Sequence, residues 1–181
     1  MHATCEVLPV VSTSARPDDA QWYAIQVRYR YEKNALQHLS AKGLETFFPA
    51  IEQVHRWSDR KKTISMPLFS GYGFVQMVLS QLTRMRVLQT EGVIGFVTIR
   101  GEAVPIPVRQ IESLRLLLAH KTPCTLHAFV KSGQRVRIRG GCLDGVEGMY
   151  QRSQENSMII CIEAIQRAIA IRIQGYELEL L

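Results

Sequence analysis

Two kinds of side chain that bind without making bonds crowd residues 55 to 77. The run HRWSDRKK (55–62) carries Arg56, Arg60, Lys61 and Lys62. PLFSGYGFVQM (67–77) then sets Phe69, Tyr72 and Phe74 beside Gly71 and Gly73. Cations at this density neutralise phosphate. Rings beside flexible backbone either fill a core or anchor a partner, because a rigid ring offers much contact area at small entropic cost. Both readings stand for these rings, and the Ser70-Gly71 turn favours exposure for Phe69 and Tyr72. A second basic group, Arg28, Arg30, Lys33 and His38, has Tyr29 and Tyr31 interleaved. Arginine and histidine reach phosphates or base edges, and tyrosine stacks on bases.

Residues for covalent chemistry are sparse. The chain has no P-loop, GxSxG or HExxH pattern. Gly71-Tyr72-Gly73 lacks the third glycine of a dinucleotide loop, and Asp59 and Asp144 stand without a paired carboxylate. His120, Cys124 and His127 lie close in sequence but lack a visible fourth ligand. The four cysteines are widely spaced and never form CxxC. The expectation is a binding protein that is not an enzyme, with no metal and no cofactor.

Composition agrees with that class. The 181 residues carry a net charge of +6, with 46% hydrophobic and 21% charged residues, the balance of a folded chain with acidic partners. No apolar run approaches the ~20 residues of a membrane span. Residues 1–18 read as a loose tail without the pattern of a signal peptide, so a cytoplasmic monomer is expected.

The elements that must position these groups follow from periodicity. QWYAIQVRY (21–29) reads as a strand and EKNALQHLSAKG as a helix ending at Gly43. LETFFPAIEQVHRW (44–57) reads as a strand interrupted by Pro49, SDRK (58–61) as a turn, and KTISMPLF and YGFVQMVL as returning strands. Ser80 caps a helix over QLTRMRVLQTEG, in which Leu82, Met85 and Leu88 recur every third residue. VIGFVTI (93–99) is a strand, and Pro107 opens a helix that buries Ile111, Leu114 and Leu118. This order predicts an α+β unit over 19–120, an antiparallel sheet with helices on one face. Thr122-Pro123 marks a linker over 121–128. Val136 and Ile138, alternating with Arg135, Arg137 and Arg139, open a run of short strands over 129–181 that points to a small barrel.

The ordered set WYAIQV, FFPAIEQV, PLFSGYGFVQM, GVIGFV and KSGQRVRIRGGCLDGVEGMY resembles the NusG-like transcription elongation and antitermination factors. The last motif is similar to the KOW hairpin that opens their five-stranded C-terminal barrel. The likeness covers nearly the whole chain after the tail and is nearest to specialised paralogues of the RfaH and polysaccharide-operon type. It departs at Phe69-Ser70-Gly71-Tyr72, where the family usually has proline after phenylalanine, and at Cys142, where Gly-Pro-Phe is common. The resemblance implies an N-terminal domain that docks on the clamp helices of RNA polymerase through Phe69, Tyr72 and Phe96, with Phe48 and Trp22. Thr83 and Arg84 would touch the opposite wall of the cleft, and the factor would reduce pausing or termination. It implies that Arg28 and His38 read exposed non-template DNA; by their charge, Arg30 and Lys33 beside them are expected on nucleic acid as well, and Arg60, Lys61 and Lys62 at the hairpin tip on backbone phosphate. The barrel would serve a ribosomal or termination-factor partner. The alternative is a KOW-type RNA- or ribosome-binding protein without a polymerase role, which would have no use for an exposed Phe69, Tyr72 and Phe96 cluster.

Overall fold

The computed structural model describes residues 20–56, 61–130, 133–151, 157–173 and 175–181. The expected tail and Arg60 lie outside the described residues. β1 (Gln21–Val27) is central in the first sheet, with β5 (Tyr72–Met77) antiparallel on one side and β2 (Glu45–Phe47) beyond β5. β6 (Val93–Phe96) and β9 (Pro105–Ile106) share the other side of β1. β3 (Ala50–Arg56) and β4 (Lys61–Pro67) form a separate ribbon, in which Arg56 faces Lys61 and His55 faces Lys62 in register. β7 (Thr98–Ile99) and β8 (Glu102–Ala103) make a short hairpin.

The four residues Trp22–Ile25 of β1 are all buried, so this strand needs cover on both faces. α1 (Glu32–Ala41) covers one face, packing Ala35, Leu36 and Leu39 with Tyr23, Ile25 and Val75. α2 (Gln81–Leu88) joins that face through Val87. α3 (Val108–Ala119) covers the other, where Ile111, Leu114 and Leu117 share a cluster with Trp22, Ala24 and Phe74. The Arg115 guanidinium lies 4.9 Å from the Trp22 ring centre and 5.3 Å from that of Phe47, and it donates to Glu45 at 2.7 Å. Helices on one face only were expected. The unbroken apolar run in β1 accounts for the difference.

The second half is a six-stranded antiparallel sheet. Its strands are β10 (Cys124–His127), β11 (Gln134–Arg139), β12 (Glu147–Gln151), β13 (Ser157–Ile162), β14 (Arg167–Arg172) and β15 (Glu177–Leu180). Their order is β10-β14-β13-β12-β11-β15. Two corrections follow. The segment 121–128, expected as a linker, supplies β10, whose Cys124–His127 pair with Ala168–Ile171 of β14. Among the described residues no pairing joins β10 to β15, so the expected five-stranded closed barrel is an open path of six strands. Met158, Ile160 and Ile162 of β13 face one cluster, while Ile159 and Cys161 face another under Phe129 and Val130.

The two halves share apolar core. One contiguous cluster holds Trp22, Phe69 and Phe74 together with Val136, Ile138 and Ile160. An ionic contact adds to it, with Arg109 Nη1 of α3 donating to Glu147 Oε1 of β12 at 3.1 Å. Glu147 also accepts from Arg137 Nε and Nη2 at 3.1 and 2.6 Å, and Arg135 lies 3.8 Å away. The Arg137 hydrogen bonds pull the Glu147 carboxyl below its ordinary value of 4.5. Burial opposes this, and the charges of Arg137, Arg109 and Arg135 add to the lowering. Because the folded carboxyl ionises at lower pH than an unfolded one, these pairs contribute stability above about pH 4.5. That contribution is lost as pH falls through the depressed folded value. Glu147→Gln is therefore expected to melt lower than the parent at pH 7, with the gap closing as the solution is taken below pH 4 (roughly the carboxylate range). A gap that stays constant across that range would remove this account of the contact.

Candidate functional site

The aromatic residues do not form one exposed patch. Phe69 is only 3% exposed, and its ring meets Phe74 edge-on at 6.3 Å between centres. Trp22 is buried beneath Arg115, and Phe96 is buried edge-on to Tyr23 at 6.4 Å. Tyr72 and Phe48 are half-buried. The exposure expected for Phe69 is thus corrected, and the cause lies in the turn that follows it. Gly71 has φ +79°, a conformation costly for other residues. Its N–H donates to the Glu32 Oε1 at 2.9 Å, and its carbonyl accepts from Val27 N at 2.9 Å. Glu32 is itself buried. These bonds pin the turn on the α1 side of the sheet while the Phe69 ring packs into the α3-side cluster.

A different apolar surface is exposed. On α2, Leu82 is 79% exposed and Met85 is also open, while the neighbouring strand β6 presents Ile94 at 67%. β6 meets β1 across a bulge that skips Ile94: Val93 and Phe96 pack on the face that carries α2, and Ile94 is left exposed between them. The Arg84 guanidinium sits 5.9 Å from the Phe96 ring centre, so Arg84 and Phe96 do meet, with the ring as floor and the cation above. Thr83 serves the helix itself. Its N–H donates to Ser80 Oγ at 3.2 Å, its Oγ1 accepts from Ser80 N at 2.9 Å, and its hydroxyl donates to the Val78 carbonyl at 2.6 Å. That reciprocal cap fulfils the role expected of Ser80. The open end of α2 is held by Lys42 Nζ, which donates to Thr90 Oγ1 at 2.7 Å.

The basic loop lies against this surface. Arg28, Arg30, Lys33 and His38 are all exposed. Tyr29 is 67% exposed with the Arg30 guanidinium 5.7 Å from its ring centre, and Arg30 adopts the left-handed φ of +65°. Non-glycine residues in that region persist only where surroundings hold them. Arg28 N donates to the Gly92 carbonyl at 2.8 Å, which ties the loop to the α2–β6 connection. Tyr31 packs so closely on Gly92 that a Cβ there would fall 2.1 Å from its ring. Burial, a hydrogen bond with Glu91 and its charge push the Tyr31 phenol up, against a smaller opposing pull from Arg28. Tyr31 therefore braces the loop, and Tyr29 is the ring left open. Lys61 and Lys62 belong to β4 of the β3–β4 ribbon, which pairs with neither the first sheet nor the second among the described residues.

The described residues thus tie the Arg28–Arg30 loop to Gly92, set Arg84 over Phe96, expose Leu82 and Ile94, and leave Trp22 and Phe69 in the core. Glu32, Gly92 and Ile94 were not singled out from sequence. Leu82 and Met85 entered the sequence reading only as part of a helix-spaced recurrence, and the residue that packs is Val87.

Among the described residues no group of three His, Cys, Asp or Glu side chains stands close enough to hold a metal ion. Residues 20–116 match the family model described as Transcription termination factor nusG. That is more than half of the chain, and the chain belongs to the NusG family. The transcription termination/antitermination protein NusG of Borreliella burgdorferi is 25% identical over 182 residues, covering 87% of this chain and 97% of that protein. Its counterpart of the same description in Lactococcus lactis is 24% identical over 172 residues, covering 89% and 93%. A solved structure of Thermotoga maritima NusG, described as showing a domain interaction, covers 86% of this chain and 98% of that one, with 21% identity and a TM-score of 0.46.

Proposed function

We propose that this chain is a transcription elongation and antitermination factor that binds RNA polymerase through its N-terminal unit, residues 19–120, and reduces pausing or termination. One observation carries the reading. The exposed apolar residues of α2 and β6 and the basic group at 28–38, which spans the loop before α1 and the first turns of α1, are linked by the Arg28 to Gly92 hydrogen bond, so the unit can grip protein and nucleic acid together. Leu82, Met85 and Ile94 supply the apolar contact, with Arg84 over Phe96 at its margin. Trp22 and Phe69 act as the core beneath the sheet, and Tyr72 and Phe48 remain partly accessible at its edge. Arg28, Arg30 and Lys33 take phosphates of an exposed non-template strand, His38 contributes a ring nitrogen, and Tyr29 offers a face to a base.

The arginines of β11 favour this reading over an RNA-binding second half. Arg137 and Arg139 are committed to Glu147 and Glu179, at 2.6 and 2.7 Å, and so are less available to phosphate. Three phosphate contacts predict that affinity for the single strand in a transcription complex falls with salt at a log–log slope of about −2. Arg28→Ala with Arg30→Ala is expected to flatten that slope to roughly −0.7, one contact. A slope unchanged by the double variant would place the nucleic acid elsewhere. In single-round transcription, addition of the chain is expected to shorten pauses, and pause lifetimes that do not respond would remove the elongation role.

A further inference from the structure

α3 and the second sheet do not close fully against each other. A cavity of about 430 Å³ lies between them, a volume in the range of small-ligand sites. Arg109, Gln110 and Ser113 of α3 form one wall, and Met149, Ile159 and Cys161 belong to the facing sheet, with Phe129 and Val130 also lining the space. The cavity is thus apolar along one side.

Its polar groups are divided. Arg109 and Arg135 both line it, and both reach the Glu147 carboxylate. Arg137 already supplies Glu147 with two hydrogen bonds, which leaves Arg109 and Arg135, with side chains 73% and 71% exposed, as donors in excess. Glu163 lines the same cavity, is exposed, and makes no ion pair among the described residues. Gln110 Oε1 is out of reach of water and has no hydrogen-bond partner. That oxygen is therefore turned away from the open space. The lining thus offers two cationic donors, one unpaired carboxylate and an apolar wall.

We propose that this cleft binds an apolar zwitterion of amino-acid or dipeptide size. Its carboxylate rests on Arg109 and Arg135, its ammonium faces Glu163, and its side chain lies on Phe129, Met149 and Ile159. The cleft shares no residue with the α2–β6 surface or the basic loop. Its walls come from both halves of the chain, so an occupied cleft stabilises their packing by mass action.

The test uses the full chain alone, so its failure leaves the polymerase reading untouched. The probes are L-phenylalanine and the dipeptide leucyl-phenylalanine, with 3-phenylpropionate and 2-phenylethylamine as the forms lacking one charge. Binding is followed by the methyl resonance of Met149, assigned with Met149→Leu, and by calorimetry. A saturable shift is expected from at least one zwitterion, with each single-charge analogue about tenfold weaker or more, the loss of one charged contact. Arg135→Ala and Glu163→Gln, both at exposed side chains and checked by thermal melt, are expected to weaken the zwitterion by a similar factor. No saturable shift from either zwitterion overturns the proposal. So does an analogue that binds as tightly as its zwitterion, or a pair of folded variants that bind like the parent.

Discussion

Phe69→Ala is expected to destabilise the chain by about 3–5 kcal/mol, the cost of emptying a buried phenylalanine site. The ring is 3% exposed and packs edge-on against Phe74, which itself is fully buried between Phe47 and Phe69. Such aromatic pairs contribute about 0.5–1.5 kcal/mol beyond the area they bury. Domains of this size have total stabilities of about 5–15 kcal/mol, so the loss takes a large share of the whole. The melting temperature should fall by about 10 °C or more. Tyr72→Ala, at a half-buried ring, should fall by clearly less. If Phe69→Ala melts with the parent, the ring is not core, and the placement of the turn at Gly71 is wrong with it.

Leu82→Asp combined with Ile94→Asp is expected to leave the fold intact and remove polymerase binding. Both side chains are exposed, and surface changes of this kind usually alter stability by less than about 0.5 kcal/mol. At an interface the same positions would become desolvated charges beside apolar partner surface. Truncation of a central anchor costs about 2 kcal/mol or more, roughly thirtyfold in affinity, and a buried charge adds to that. The paired change should therefore lower affinity by about a hundredfold or more, with the melting curve unmoved. Equal affinity for parent and variant would move the contact off α2 and β6. The two experiments read different things: Phe69 reports on folding, and Leu82 with Ile94 on recognition.

Local signals in the sequence carried well. The QWYAIQV run formed β1, Ser80 capped α2 as its hydroxyl chemistry suggested, and Gly43 adopted the positive φ of a helix end. What did not carry was set by partners far along the chain. The direction of Phe69 depends on Gly71 meeting Glu32, 39 residues away, and no local pattern encodes that. β10 is short, follows Pro123 and pairs with β14, so its strand character exists only in that pairing. In α2 the recurrence of Leu82, Met85 and Leu88 resembled a core stripe. Positions three apart drift about 60° per step, however, and the packed residue is Val87. The candidate site was legible in part for the same reason. The cations at 28, 30 and 33 announce themselves by type, whereas Ile94 becomes a candidate only through its exposure in the fold, which no local pattern encodes.

The most direct measurement is the affinity of the unaltered chain for a transcription elongation complex of its own host, compared with its affinity for the RNA of that complex without polymerase. The account predicts saturable binding to the complex, with free RNA at least about a hundredfold weaker, since the apolar contact alone is put at 2 kcal/mol or more per anchor. Binding to free RNA as tight as to the complex, or no binding to the complex at all, would contradict it.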